Sequence, residues 1–334
     1  MIALPKWWVF SAMVLVLVLV AGSSLVIGSV AISVADVVDA LFGSKSEDMV
    51  WTIVWEIRMP RMLLAAIVGA GVASAGAAIQ GLFRNPLADP ALIGVSSGAA
   101  LFAAGFIVLG LNFGVFQVLG VSGAAFVGGL LSTLLVLEIG RRGGTISSML
   151  LAGIAINAIA IAGVGLFSYL STDLQLRSVA FWALGSFNGA SWQSVGIACV
   201  IPLILFLLSM ESRRLNAITL GDQEAGHLGI SVPALRRRVV LYTAIAVGVG
   251  VSLAGVIAFV GLVVPHLIRL TLSSNHYIVI PGSALIGAIL MLVADGLSRW
   301  WLAPAELPVG ILTAIIGGPF FIYLITRQKG KLGI

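Results

Sequence analysis

The sequence predicts an all-α integral membrane protein with ten spanning helices per subunit. Charged residues fill only 9% of 334 positions and hydrophobic ones fill 60%, where an ordinary soluble domain carries about 25% charged residues. A chain so poor in charge cannot cover its surface for water, and mean hydropathy of +1.15 agrees. Apolar runs of bilayer-crossing length recur almost to the C-terminus. These runs must be helical, because lipid offers no partner to an open backbone group, and the alternation of a membrane β-barrel is missing.

Spans are expected near 8–29, 59–83, 91–110, 114–138, 146–170, 192–210, 238–258, 261–273, 277–300 and 307–326. The first follows Lys6-Trp7-Trp8 and runs apolar from Val9 to Ile27. It exceeds the roughly 7–15-residue core of a signal peptide and shows no clean cleavage site, so it reads as a retained span. The eighth is the tightest fit. About 34 residues separate Arg236-Arg237-Arg238 from Ser273-Ser274-Asn275-His276, whereas two full spans need about 40. Either both spans are short or Val256–Leu272 is a helix broken around Pro265.

Basic residues set the orientation. With the N-terminus inside, thirteen fall on the cytoplasmic side (Lys6, Arg84, Arg141, Arg142, Arg213, Arg214, Arg236, Arg237, Arg238, Arg269, Arg327, Lys329, Lys331) and five outside (Lys45, Arg58, Arg61, Arg177, Arg299). The bias favours an even number of spans and two cytoplasmic termini. It also accounts for the net charge of +5 without nucleic acid. The external segment 31–57 holds Asp36, Asp39, Glu47 and Asp48, and Val34–Phe42 has the pattern of an amphipathic interfacial helix. Ser74-Ala75-Gly76-Ala77-Ala78-Ile79 resembles Ser252-Leu253-Ala254-Gly255-Val256-Ile257. A repeat of five spans has odd parity, so it gives two inverted five-helix halves. Forty glycines suit close helix packing in lipid. The single Cys199 excludes an internal disulfide and reads as a small core residue.

Several groupings carry chemistry. The loop Arg84-Asn85-Pro86-Leu87-Ala88-Asp89-Pro90 separates two spans, with Asp89 placed to cap the next helix. It is either a plain sharp turn or a working one. The largest polar insertion is 211–237. Within it, Leu220-Gly221-Asp222-Gln223-Glu224-Ala225-Gly226-His227-Leu228-Gly229 has the form of a short helix ended by Gly229. This is either a solvated loop or a seat for a soluble partner. Arg58, Arg61 and Arg299 stand at span ends on the side poor in basic residues. They either snorkel to headgroups or form a basic rim for acidic side chains of a partner. Asp295 and Arg299 are one turn apart, in register to pair.

Other functions lose support. No run of intramembrane carboxylates or histidines marks a proton relay. The phosphate-binding motif G-x-x-x-x-G-K-[ST] is absent, so the chain cannot bind ATP by a P-loop. His227, His266 and His276 are not spaced as metal ligands, and no nucleophile–base pair suggests an enzyme.

The motifs together closely resemble the FecCD-type permease family of type II ABC importers for ferric siderophores, haem and vitamin B12. They are Arg58-Met59-Pro60-Arg61, Gly69-Ala70-Gly71 through Gln80-Gly81, Arg84–Pro90, Gly94-Val95-Ser96-Ser97-Gly98-Ala99, Phe181-Trp182-Ala183-Leu184-Gly185-Ser186, Leu220-Gly221-Asp222, Phe259-Val260-Gly261-Leu262-Val263-Val264-Pro265-His266 and Glu306-Leu307-Pro308-Val309-Gly310. The resemblance covers nearly the whole chain. It implies the type II ABC importer permease fold, a homodimer with the pore on its axis, two cytoplasmic ATPase subunits and a periplasmic substrate-binding protein, in the bacterial inner membrane. It further implies that Arg58, Arg61 and Arg299 meet glutamates of the binding protein, that Leu220–Gly229 couples to the ATPase, and that span 146–170 lines the pore. Met149, Asn157, Phe167, Tyr169 and Arg177 are the expected path residues. Leu176-Arg177-Ser178-Val179-Ala180-Phe181-Trp182 looks more like the haem branch than the siderophore branch, so haem is expected as cargo, with no permanently bound cofactor and no resident metal.

Overall fold

The computed structural model describes residues 6–28, 30–43, 49–111 and 117–329. Lys45, Glu47, Asp48 and Lys331, and the expected start of the fourth span at 114, lie outside the described residues. Among those described, the chain is all helical, and seven helices are long and apolar enough to cross a membrane. Three shorter apolar ones, Val95–Val108, Val260–Thr271 and Val309–Ile322, bring the set to ten.

α1 (Lys6–Val26) leads to α2 (Val34–Phe42), which has the bounds expected of the interfacial helix. Ser33 and Asp36 close a capping box at its start. Val37 and Ala40 face inward, while Val34, Val38 and Phe42 form an exposed apolar stripe. α3 (Met49–Thr52) passes through a π-helical turn, Ile53–Arg58, into α4 (Met59–Leu82).

α4 is the axis of the bundle and is buried almost along its length. Glycines allow its neighbours that close. A Cβ on Gly69 would lie 2.4 Å from the Gly287 carbonyl, and one on Gly76 would lie 1.9 Å from that of Gly261. Backbones in contact gain dispersion that larger side chains would prevent.

After a 3-10 turn, Pro90–Ile93, come α5 (Val95–Val108), α6 (Gln117–Gly143) and α7 (Ile146–Leu170). α6 runs past the expected 138 because Glu138 pairs with Arg141 and Arg142 within its last turns. α7 matches its expected bounds but lies at the edge of the bundle, with Leu151, Ile154, Ile159, Ile161, Leu166 and Tyr169 exposed. α8 (Asp173–Leu184) fills a stretch left between the expected spans. Its signal was legible, since Thr172 and Gln175 form a capping box.

α9 (Trp192–Ala198) and α10 (Val200–Met210) share one span with a turn at Cys199. Pro202 has no N–H for the Ala198 carbonyl, which explains the turn. Cys199 is exposed rather than a core residue, because the buried face runs through Val195, Ala198 and Ile201.

α11 (Ser212–Ile218) and α12 (Asp222–His227) form the polar insertion. α13 (Val232–Ala254) begins six residues before the expected 238. Two of its three early arginines are neutralised in place, Arg236 by Asp222 and Arg238 by Glu211, and Arg237 is exposed, so they do not exclude a helix start. α14 (Val260–Thr271), α15 (His276–Trp300) and α16 (Val309–Lys329) complete the chain.

Of the two expected alternatives, a short eighth span forms and a break around Pro265 does not. α14 runs through Pro265, and the chain is instead non-helical from Gly255 to Phe259, where both end residues have positive φ (72° and 66°). The Ser186 N–H donates to the Ala254 carbonyl at 2.7 Å, so the broken backbone is met by protein, as lipid depth requires. The stretch Ser252–Ile257 leaves the helix here, whereas its look-alike Ser74–Ile79 stays inside α4.

Candidate coupling and docking surfaces

Two ends of the bundle carry its polar side chains. At the Arg84 end, α11 and α12 are anchored by ions and amides. Glu211, buried, accepts from Arg214 at 2.8 Å and Arg238 at 2.7 Å. The Asn216 side chain accepts from the His276 backbone N–H at 2.9 Å and donates to Asn275 at 2.8 Å, which ties α11 to the start of α15.

α12 follows Gly221 (φ 125°) and ends before Gly229 (φ 77°), as its residues predict. Ala225 is its buried foot. Gln223, Glu224, His227, Leu228 and Gly229 are exposed, as is Leu220 just before the helix. Leu220 (67%) and Leu228 (63%) are unusually open for leucines on so polar a segment. Asp222 turns back toward the bundle, to Arg84 at 3.2 Å and Arg236 at 3.3 Å. Arg84 and Arg236 belong to this site and went unrecognised in sequence, since they lie 138 positions before and 14 after Asp222.

The turn 84–90 is stiff. Arg84 has φ 50°, a left-handed conformation that costs a non-glycine residue about 1 kcal/mol. The Asn85 N–H reaches the Gln80 carbonyl at 3.1 Å, and the Arg84 N–H reaches that of Gly81 at 3.2 Å. Together they close a Schellman motif on α4. Asn85 Oδ1 accepts from the Leu87 N–H, and Asp89 caps the 3-10 turn through the Ala91 N–H at 2.8 Å. Burial pushes the Asp89 carboxyl above its ordinary range, against that hydrogen bond, which pulls it down.

At the opposite end, Arg58, Arg61 and Arg299 converge, but not as an open rim. Each is about 5% exposed. Arg58 donates to the carbonyls of Leu25, Val26 and Val30, and Arg299 to those of Ser24 and Ile27. The two guanidiniums therefore close the C-terminal end of α1, where carbonyls lack partners. Arg61 pairs with Asp295 at 2.9 Å and Glu306 at 2.9 Å. Asp295, fully buried, also holds Arg299 at 3.1 Å, so the expected pair is formed. Snorkelling to headgroups fails for the same reason as the open rim: the side chains turn inward.

The expected path residues divide. Tyr169 is 86% exposed on α7, and Arg177 is exposed on α8. Phe167 packs on Gly105 and lines an apolar cavity of about 390 Å³ with Leu101, Phe102 and Phe106. Asn157 turns into the bundle, accepting from Ser97 and donating to the Ala91 carbonyl at 3.1 Å. Met149 is buried beside Gly140, where it walls a cleft of about 770 Å³ with Glu138, Arg141 and Arg236.

Among the described residues, a bundle of ten apolar helices with a polar insertion at one end and a buried ionic cluster at the other is the form of a multi-pass transport permease. Residues 14–327 match the FecCD transport family, and the chain belongs to it, as an ABC importer permease. It is 45% identical to the hemin transport system permease protein HmuU of Yersinia pestis over 294 residues, 86% of this chain and 87% of that one. It is 40% identical to the vitamin B12 import system permease protein BtuC of Salmonella typhi over 275 residues, 82% of this chain and 84% of the other. An inward-facing metal-chelate type ABC transporter superposes with a TM-score of 0.86 at 32% identity, covering 96% of this chain and 99% of that one. PsaBC from Streptococcus pneumoniae shares the fold alone, at a TM-score of 0.52 and 16% identity over 87% of this chain and 95% of the other. Members of this family are permeases rather than enzymes.

Proposed function

We propose that the chain is the homodimeric permease of a bacterial inner-membrane importer for haem. Two separate ATPase subunits drive it, and a periplasmic binding protein loads it. The α11–α12 platform carries the mechanical part of this reading. It offers Leu220 and Leu228 to an outside partner while Glu211, Asn216 and Asp222 fasten it to the bundle. Exposed leucines on an ion-anchored segment suit a groove on a soluble subunit.

With the basic-rich end inside, that platform is cytoplasmic, both termini are cytoplasmic, and the Arg58–Arg61–Arg299 end faces the binding protein. There the three arginines shape the docking face from beneath. The open apolar face of α7 meets a second copy across the pore, and the copies rock about that interface in alternating access. Tyr169 and Arg177 stand at the mouth of the path, with Phe167 behind them.

Haem is favoured over vitamin B12 by the higher identity to the hemin permease and by the segment 176–182. ATP-dependent uptake into liposomes holding the permease, ATPase and binding protein tests this, comparing haem, a ferric siderophore and cobalamin. Haem is expected to accumulate and to resist competition by excess cobalamin. Faster uptake of cobalamin or of the siderophore would overturn the assignment.

A further inference from the structure

We propose that Asp222 is the positioning residue that carries movement of the α11–α12 platform to α7, through Arg84 and the stiff turn 84–90. This rests on reading that platform as the ATPase seat. Asp222 is held at once by Arg84 at the end of α4 and by Arg236 in α13. A displacement of α12 therefore pulls on two helices.

The conformation of Arg84 points the same way. Its left-handed φ of 50° closes a Schellman motif that glycine would close without strain. Glycine, however, brings no guanidinium to Asp222. Strain kept at a residue whose side chain makes a specific contact marks a working position.

Beyond Arg84 the contacts are continuous. Two backbone hydrogen bonds, the Asn85 turn and the Asp89 cap leave no loose joint before Ala91. The Ala91 carbonyl accepts from Asn157 of α7. One turn earlier, a Cβ on Gly153 would lie 1.8 Å from the Leu92 carbonyl, so α7 rests directly on the 3-10 turn. Sliding α12 thus presses on the helix assigned to the path.

The test compares Asp222→Asn, Arg84→Gly and the double variant in liposomes containing the ATPase and the binding protein. Three quantities are read: ATPase retained on the permease, ATP hydrolysed, and substrate moved per ATP. Arg84→Gly relieves the backbone strain, so it should fold and assemble at least as well as the parent. Substrate moved per ATP should fall about fivefold or more in each single variant, the scale of an allosteric coupling. The double variant should be no worse than either single one. An unchanged ratio in Arg84→Gly, or an additive loss in the double variant, would overturn the linkage. Should Asp222→Asn fail to assemble, the ratio in Arg84→Gly alone decides. Leu220→Asp with Leu228→Asp tests the ATPase seat separately. If that variant still binds the ATPase, the seat is misassigned, whatever the ion pair does.

Discussion

The side-chain amide of Gln80 supplies what Pro265 lacks. Proline at 265 has no N–H for the Gly261 carbonyl one turn back, and Gln80 Nε2 approaches that carbonyl at 3.5 Å and the Leu262 carbonyl at 3.0 Å. α14 consequently runs through its proline instead of breaking there. Gln80→Leu should lower stability by about 1–3 kcal/mol, the cost of a buried unmet polar group, read as thermal unfolding in detergent. Pro265→Ala restores the backbone donor, so the loss from Gln80→Leu should shrink in that background. Equal losses in both backgrounds would separate the two residues.

The buried ionic cluster makes an asymmetric prediction. Asp295 serves both Arg61 and Arg299 with no exposure, whereas the Glu306 side chain is 26% exposed. Asp295→Asn removes the one fully buried anion that both arginines share, leaving Arg61 to the partly exposed Glu306 and Arg299 to the carbonyls of Ser24 and Ile27, and should cost about 3–5 kcal/mol. Glu306→Gln should cost about 1 kcal/mol or less, as for pairs near water. The order of the two unfolding temperatures checks this, and Glu306→Gln as the more harmful change would contradict the geometry.

Helix contacts predict which glycines tolerate a methyl group. Gly76→Ala drives a Cβ into the Gly261 backbone and should cost about 1–3 kcal/mol through overpacking. Gly123 has nothing within 4 Å of such an atom, so Gly123→Ala should match the parent in yield and unfolding temperature.

Asp89 gives a pH dependence. Burial raises its carboxyl, so the folded state disfavours the ionised form, and the stability that protonation provides is lost as pH rises past the unfolded value. Asp89→Asn keeps the cap without a charge. It should be as stable as the parent or more so at neutral pH, with the difference closing as pH falls toward 4, near the ordinary carboxyl range. Asp89→Ala removes the cap and should lose about 1 kcal/mol.

Much of the fold was legible because lipid allows few solutions. Low charge and repeated apolar runs force helices, and α2 and α7 have their expected bounds, set by Ser33 and Thr145 as N-caps. Three of the misreadings share one cause: a partner supplied from a distant part of the chain. Pro265 fails to break α14 because Gln80 lies across from it. Arg236 and Arg238 sit inside α13 because Asp222 and Glu211 neutralise them. The arginines at 58, 61 and 299 were legible as a group but not as a buried one, since α1 carbonyls and Asp295 draw them inward. The platform Leu220–Gly229 was read from its own residues, while its anchors Arg84 and Arg236 were hidden by sequence distance.

In the proposed function the chain is a passive gate turned by a nucleotide-hydrolysing partner. Haem uptake into vesicles holding the permease and binding protein, with and without the ATPase and in the presence of a proton ionophore, tests it most directly. Uptake is predicted only when both the ATPase and ATP are present, and it should survive the ionophore. Uptake that proceeds without the ATPase and collapses with the proton gradient would contradict the account.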